Sequence, residues 1–198
     1  GHYSAFQTIQ NYMTKAPDPE SALLCAAALK KKGFDVEEQM FTNGLKLPNP
    51  FLRALAGRYL DLKYWDELSP LLQDEDEKVQ MLVAGRLEAK MPESCRQILA
   101  RGCASTNPLI RIYSLSRLWP FQNPFQQNKI DIPRHLLPYL PLIKKGLQDS
   151  NTLMKRVAAS RIGMYQIHYL TKDTIRLFED SDPLVQYLAI NAVAFLGS

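Results

Sequence analysis

The chain has 198 residues, of which 46% are apolar, and its formal net charge is +4. This length fits one compact domain or one short repeat array, and the apolar content is ample for a continuous core. The charge is too small to indicate a nucleic-acid or anionic-membrane partner by itself. The longest apolar runs are too short or too interrupted to cross about 30 Å of hydrocarbon, so no membrane span is expected.

An Asp or Asn recurs along the chain with apolar or small residues 3, 6, 7 and 11 positions after it. This spacing is typical of one face of an α-helix. The side chain of an Asp or Asn can cap the first-turn amides of a helix. In four of the six cases a proline fills the first helical position, where its missing N–H costs nothing. The six anchors are Asp18, Asn49, Asp76, Asn107, Asn151 and Asp182.

A second helix is predicted before each anchor, so the chain is expected to consist of helix pairs. The anchors are separated by 31, 27, 31, 44 and 31 residues, and a nearly constant period of this size is typical of a helical repeat array. No stretch alternates with a period of two, so no sheet is expected. The predicted pairs are 3–14 with 18–32, 35–46 with 49–61, 64–73 with 76–90, 93–104 with 107–119, 134–148 with 151–166 and 171–179 with 182–196.

The units resemble HEAT repeats, whose second helix typically opens with an Asp-rich turn followed by Val-Arg, two small residues and Leu. The matching segments are DEDEKVQMLVAGRL, STNPLIRIYSLSRL, DSNTLMKRVAASRI and DSDPLVQYLAINAV. The first two units fit less well, with Ser21 in the Val position and Leu47 in the acidic position. The resemblance covers nearly the whole chain. It implies an all-α, right-handed solenoid of about six antiparallel helix pairs, forming a single array over residues 1–198 with an insert at 119–134.

A row of polar residues follows the Val position of the repeat. In HEAT repeats this residue usually bonds the acidic turn of its own or the adjacent unit, which forms a ladder along the array. Asp149 and Lys155 keep that acid–base spacing within one unit. The alternative hypothesis is that the cations line a concave surface and bind an acidic partner; these cations are Arg53, Arg111, Lys155 and Arg156.

A second basic row, Arg86, Arg117 and Arg161, lies ten residues after three consecutive anchors. Equal helical phase places the three guanidinium groups on the same side of successive helices. Such a row is either a solvated flank, with the aliphatic stems packed on the helices, or part of a binding stripe.

The interval of 44 residues exceeds the common 31 because of the segment 119–134, which contains three prolines. A long connection in a regular array is often either functional or disordered, and the aromatic residues of this one argue against disorder. Its aromatic residues Trp119, Phe121 and Phe125 either dock a partner or pack against the array to cover an interrupted seam.

Catalytic motifs are scarce. The three histidines lack metal-ligand spacing, and the chain has no Gly-rich phosphate loop and no G-x-S-x-G motif, so no metal and no cofactor are expected. We therefore expect a non-catalytic protein–protein interaction or scaffolding module that binds an acidic peptide or protein on its concave face. The alternative is a HEAT-like enzyme or enzyme subunit, similar to alkylpurine DNA glycosylases or bilin lyases. A glycosylase-like cleft would require Trp65, Asp66 and Trp119 to converge.

The three cysteines cannot all pair within one chain, which favours a reducing, cytoplasmic setting. Cys25 occupies a small-residue position and is expected to be buried. Val157 and Leu188 are expected to be core positions between adjacent pairs. No charged residue follows Asp182, so the last helix is expected to expose Ala, Val and Phe. The array is therefore expected either to continue beyond residue 198 or to self-associate.

Overall fold

All the regular secondary structure of the protein is helical in the parts that the computed structural model describes, which comprise residues 2–16, 18–120 and 132–197. These ranges contain twelve α-helices, five 3₁₀ segments and no strand. The prediction of an all-α protein without a sheet is confirmed for them. None of the helices in these ranges combines the length and the apolar character that a membrane span requires.

The observed helices reproduce the predicted pairs within a few residues. In the third, fifth and sixth pairs the first element combines a short α-helix with 3₁₀ turns at Leu62–Tyr64, Ser69–Gln73, Arg134–Tyr139, His168–Leu170 and Arg176–Glu179. The α-helices are α1 (His2–Thr14), α2 (Pro19–Lys31), α3 (Glu38–Gly44), α4 (Pro50–Tyr59), α5 (Trp65–Leu68), α6 (Glu77–Leu87), α7 (Pro92–Gly102), α8 (Pro108–Leu118), α9 (Leu140–Leu147), α10 (Thr152–Met164), α11 (Thr171–Ile175) and α12 (Pro183–Leu196).

All six anchors are helix N-caps. Each has an extended backbone, and its side-chain oxygen accepts a hydrogen bond from the amide two or three residues later. The best of these bonds in each helix measures between 2.7 and 3.0 Å. In α2, α4, α8 and α12 the residue after the cap is proline. The start of every second helix therefore follows from the sequence alone.

The core face of the second helices is narrower than the sequence spacing suggested. In α4, α6, α8 and α10 the residues 3, 7 and 11 positions after the cap are buried, whereas those 6 positions after it are only half-buried. At about 100° per residue, the first three positions cluster around one direction, and the sixth lies about 100° away from it. This corrects the expectation that Val157 and Leu188 are core residues, because both occupy the sixth position.

The first pair departs from this register. The hydroxyl of Ser21 donates a hydrogen bond of 2.9 Å to Asp18, so the third position serves the cap instead of the core. The buried residues of α2 are Leu23, Ala26, Ala27 and Leu29. Cys25 is consequently half-buried, which corrects the expectation that it is a core residue.

The chain divides into two compact units, residues 1–98 and 99–198. In the first unit α2 packs on α4 and α4 packs on α6, and each of these helices also contacts its preceding partner. In the second unit α8 packs on α10 and α10 packs on α12. A Cβ atom at Gly163 of α10 would lie 2.9 Å from the Cα atom of Ala192 in α12, so only glycine permits this close approach. The arrangement of all pairs as one solenoid over residues 1–198 stays a prediction.

The register of α10 predicts the effect of a buried charge. Met154→Asp places an unpaired carboxylate in the core and should lower the free energy of unfolding by at least about 3 kcal/mol. Val157→Asp, on the same helix, leaves the carboxylate in reach of water and should cost about 1 kcal/mol. Urea denaturation monitored by circular dichroism measures both. Equal losses in the two variants would contradict the register.

Candidate protein-binding surface

Arg53 is a structural cation of the first unit. It is buried at the start of α4, and its Nε and Nη2 donate hydrogen bonds of 2.8 Å each to the two carboxylate oxygens of Asp74. Its Nη1 donates to the carbonyl oxygens of Leu47 and Pro48, 3.0 and 2.6 Å away, in the turn before its own helix. A bidentate pair of this kind fixes the orientation of the guanidinium group as well as its charge.

The same arrangement recurs in the second unit. Arg111 donates two hydrogen bonds of 2.8 Å to Asp149. Lys155 lies 2.6 Å from Asp180, and Arg156 binds the N-cap carboxylate of Asp182. These pairs join the first turn of α8 to the turn before α10, and the first turn of α10 to the turn before α12. The N-terminal ends of the three second helices are therefore held side by side.

The carboxylates respond to this pairing. The hydrogen bond from Arg111 lowers the pKa of Asp149, and the bond from Lys155 lowers the pKa of Asp180. Burial opposes ionisation of Asp74, but the hydrogen bonds from Arg53 and from the Asp76 amide outweigh it, so its pKa is lowered too. All three carboxylates are thus charged at neutral pH.

These contacts identify the ladder as the structural use of the first basic row. The partner of Lys155 differs from the one that the spacing indicated, because Lys155 pairs with Asp180 of the following turn instead of Asp149 of its own. Arg53, Arg111, Lys155 and Arg156 all have carboxylate partners within the fold. Their binding of an acidic partner stays a prediction, and such a partner would have to compete with these carboxylates.

Two of the three residues of the second basic row, Arg86 and Arg161, bond to backbone carbonyl groups within the fold. Arg161 is buried and donates a hydrogen bond of 2.6 Å from its Nε to the carbonyl oxygen of Trp119, at the end of α8. Arg86 donates in the same way to the carbonyl oxygen of Gly57 in the last turns of α4. The tenth position lies only about 60° from the centre of the core face, so a long side chain there reaches the C-terminal end of the preceding second helix. Arg117 is exposed.

Trp119 is completely buried. Its ring stands edge-on to Tyr165 with the centroids 5.1 Å apart, and the Tyr165 hydroxyl donates to the carbonyl oxygen of Pro120 at 2.8 Å. The ring therefore packs against the array, which is the second of the two alternatives given above, and it is not exposed to dock a partner. Phe121 and Phe125 lie outside the described residues.

An apolar row lies where the ladder holds the helix ends together. Leu109, Leu153 and Leu184 each occupy the second position after the cap of α8, α10 and α12, and they are 70%, 50% and 44% exposed. We call these three residues the leucine row. Neighbouring packed helices lie about 8–10 Å apart, which sets the spacing of the row. The sequence contained this signal, because the position is apolar after four of the six anchors.

Two surface grooves differ from a glycosylase-like catalytic cleft in the residues that line them. One, of about 180 Å³, lies between α10 and α12 and includes Met164, Leu188, Asn191 and Phe195 in its lining. The other, of about 300 Å³, is in the first unit beside Lys46 and Glu67. Neither groove combines a carboxylate with two aromatic side chains, which is the lining that a glycosylase-like site would need. Over the described residues, no group of three or more His, Cys, Asp and Glu side chains could hold a metal ion.

Comparison with known proteins informs the fold only. No protein-family model matches the sequence, and no curated protein is similar to it. Among solved structures, the chain resembles the crystal structure of an engineered protein determined by the Northeast Structural Genomics Consortium. The TM-score is 0.61 and the identity is 14%, and the match covers 96% of this chain and 96% of that one. The similarity therefore supports the same general fold over nearly the full length.

The ladder predicts the effect of removing one carboxylate. Asp149→Ala leaves the Arg111 guanidinium and the Asn151 amide without their acceptor, so it should lower the free energy of unfolding by about 2 to 3 kcal/mol at neutral pH. Asp149→Asn can still accept from the Asn151 amide and should cost less. Urea denaturation of the three proteins gives the comparison, and a neutral effect of Asp149→Ala would contradict the structural role.

The lowered carboxylate pKa values also predict a dependence on pH. The pKa of Asp149 in the folded state lies below its ordinary value of 3.8, so its stabilising contribution is fully present above that value and is lost as the pH falls through the folded-state pKa. The stability difference between the parent and Asp149→Asn should therefore shrink between about pH 5 and about pH 2. A difference that is the same at both ends of this range would show that charge is not the cause.

Proposed function

We propose that this protein is a non-catalytic protein–protein interaction module of the HEAT-repeat type, which binds an apolar or amphipathic segment of its partner across the leucine row. The observation that carries the proposal is the recurrence of an exposed leucine at one position of three neighbouring helices. Contiguous exposed apolar surface marks interaction sites in folded proteins. The recurrence provides anchor points at regular spacing.

The ladder supports the same proposal. It holds the N-terminal ends of α8, α10 and α12 together, so the helix ends that carry the leucine row are fixed relative to one another. A rigid surface loses little conformational entropy on binding. The acidic partner expected from the sequence receives less support, because the cations that would attract it already carry bound carboxylates.

The HEAT-type solenoid is supported by the capped second helices and by the stacking of successive second helices within each unit. We further propose that the protein acts in the cytoplasm. Its three cysteines are free thiols. Burial raises the pKa of Cys95 to about 11 and that of Cys103 to about 12, so both thiols are protonated and unreactive.

The leucine row can be tested by affinity capture with a double variant. Leu109→Ser with Leu153→Ser removes two exposed side chains and should leave the helical circular dichroism spectrum unchanged. Proteins that the parent captures from a lysate of the source cells should fall at least about tenfold in quantitative mass spectrometry, because two of the three anchors of the interface are lost. Capture by the parent should persist at about 1 M salt, where charge attraction is screened within about 3 Å.

A matched control is available in the same unit. Leu137→Ser with Ile175→Ser changes two apolar residues of similar exposure, 46% and 45%, that lie outside the row. This control should capture the same proteins as the parent. Equal capture by the row variant and the parent would refute the proposal. Loss of capture by the parent at about 1 M salt, with equal capture by the row variant and the parent at low salt, would favour the acidic partner instead.

A further inference from the structure

A second apolar surface lies on α12, on the side turned away from the core. Tyr187 and Phe195 are 59% and 49% exposed, Ala194 is exposed, and Leu188 and Asn191 are half-buried. We call these five residues the α12 stripe. At about 100° per residue, the other four lie within about 60° of Asn191 around the helix axis. The stripe is thus one continuous face, and Leu184 of the leucine row lies one turn before it on the same side of the helix.

The stripe is symmetric about Asn191. Tyr187 and Phe195 lie four residues to either side, and Leu188 and Ala194 lie three residues to either side. Two antiparallel copies of a helix related by a two-fold axis bring residues at equal distances before and after the centre opposite each other. An α12 pair centred on Asn191 therefore places an aromatic ring against an aromatic ring.

The residue at the centre suits the axis of such a pair. The amide of Asn191 carries both donors and an acceptor, so two copies can exchange reciprocal hydrogen bonds. A single polar residue in an otherwise apolar helix seam is a known means of fixing register. Beside it, the groove between α10 and α12 offers about 180 Å³ lined by apolar groups such as Met164, where an aromatic ring of the second copy can pack.

The absence of charge argues for the same occupant. The sequence of α12 from Pro183 to Leu196 contains no Asp, Glu, Lys, Arg or His. A charged partner segment would lose hydration there without gaining a counter-charge. A second copy of α12 presents the same uncharged face.

We propose that this protein forms a two-fold symmetric dimer through antiparallel pairing of α12 with α12 of a second copy, centred on Asn191. A standard interface buries about 800 Å² of surface per partner. A single helix pair buries less, so the dimer should dissociate in the micromolar range. The proposal concerns residues of α12 that adjoin Leu184, and its tests leave the leucine row unchanged.

Sedimentation equilibrium of the purified 198-residue chain over a range of concentrations tests the dimer. The mass should rise with concentration from 22.6 kDa towards twice that value. Tyr187→Lys and Phe195→Glu should each raise the dissociation constant at least about tenfold, because each removes an aromatic ring from the interface and desolvates an unpaired charge. A mass that stays at 22.6 kDa up to millimolar concentration would overturn the proposal.

The double variant Tyr187→Lys with Phe195→Glu tests the register. In the antiparallel pair each lysine faces a glutamate of the second copy, so dimerisation should recover relative to either single variant. In a parallel pair like charges would meet, and the double variant would associate no better than the single ones. This second outcome would overturn the antiparallel register.

A control on the same helix distinguishes a specific interface from nonspecific hydrophobic association. Ile190 is 49% exposed, as Phe195 is, but it lies about 100° away from Asn191 around the helix. Ile190→Lys should dimerise as the parent does, and an equal loss in this variant would refute the stripe. The leucine-row double variant should also dimerise normally, so the dimer and the proposed partner surface can fail independently.

Discussion

The structure depends on a carboxylate placed two residues before a helix cap. Asp74, Asp149 and Asp180 each accept the backbone N–H of the following anchor, at 2.9, 2.8 and 3.0 Å. Each also accepts a hydrogen bond from a cation of an earlier second helix, and this cation lies four residues after the cap of its own helix. One side chain thus orders a turn and joins two helices. Before Asn107 a serine hydroxyl takes the capping role instead, at 3.1 Å.

The cations in the first turns of these helices are paired with the carboxylates that join the helices. The fourth position after the cap lies about 60° from the centre of the core face, on the opposite side from the tenth. Both positions therefore flank the core, and their polar groups bond to neighbouring turns or helix ends within the fold. We therefore propose that another molecule binds to the outward face. In the second unit that face is largely uncharged, which explains why both proposed interaction surfaces are apolar.

The helix starts were predictable because a cap is a local event. An Asp or Asn, a following proline and a helical apolar pattern lie within one turn of each other, and all six anchors are caps as predicted. The ion pairs were not predictable in detail, because Arg111 and Asp149 are 38 residues apart and only the packed helices bring them together. Trp119 was ambiguous for the same reason. Its burial depends on Tyr165 and Arg161, which belong to the next second helix.

The second position after the cap separates the requirements of folding from those of binding. It lies about 140° from the centre of the core face, so the fold makes little demand on it. In the first unit it holds Glu20, Phe51 and Lys78, and the caps of α2, α4 and α6 form equally well with all three. The fold accepts a charge there and avoids exposed apolar surface when it does so. Leucine at all three corresponding positions of the second unit is therefore not required by the stability of the helices, and we propose that a bound partner is the reason for it.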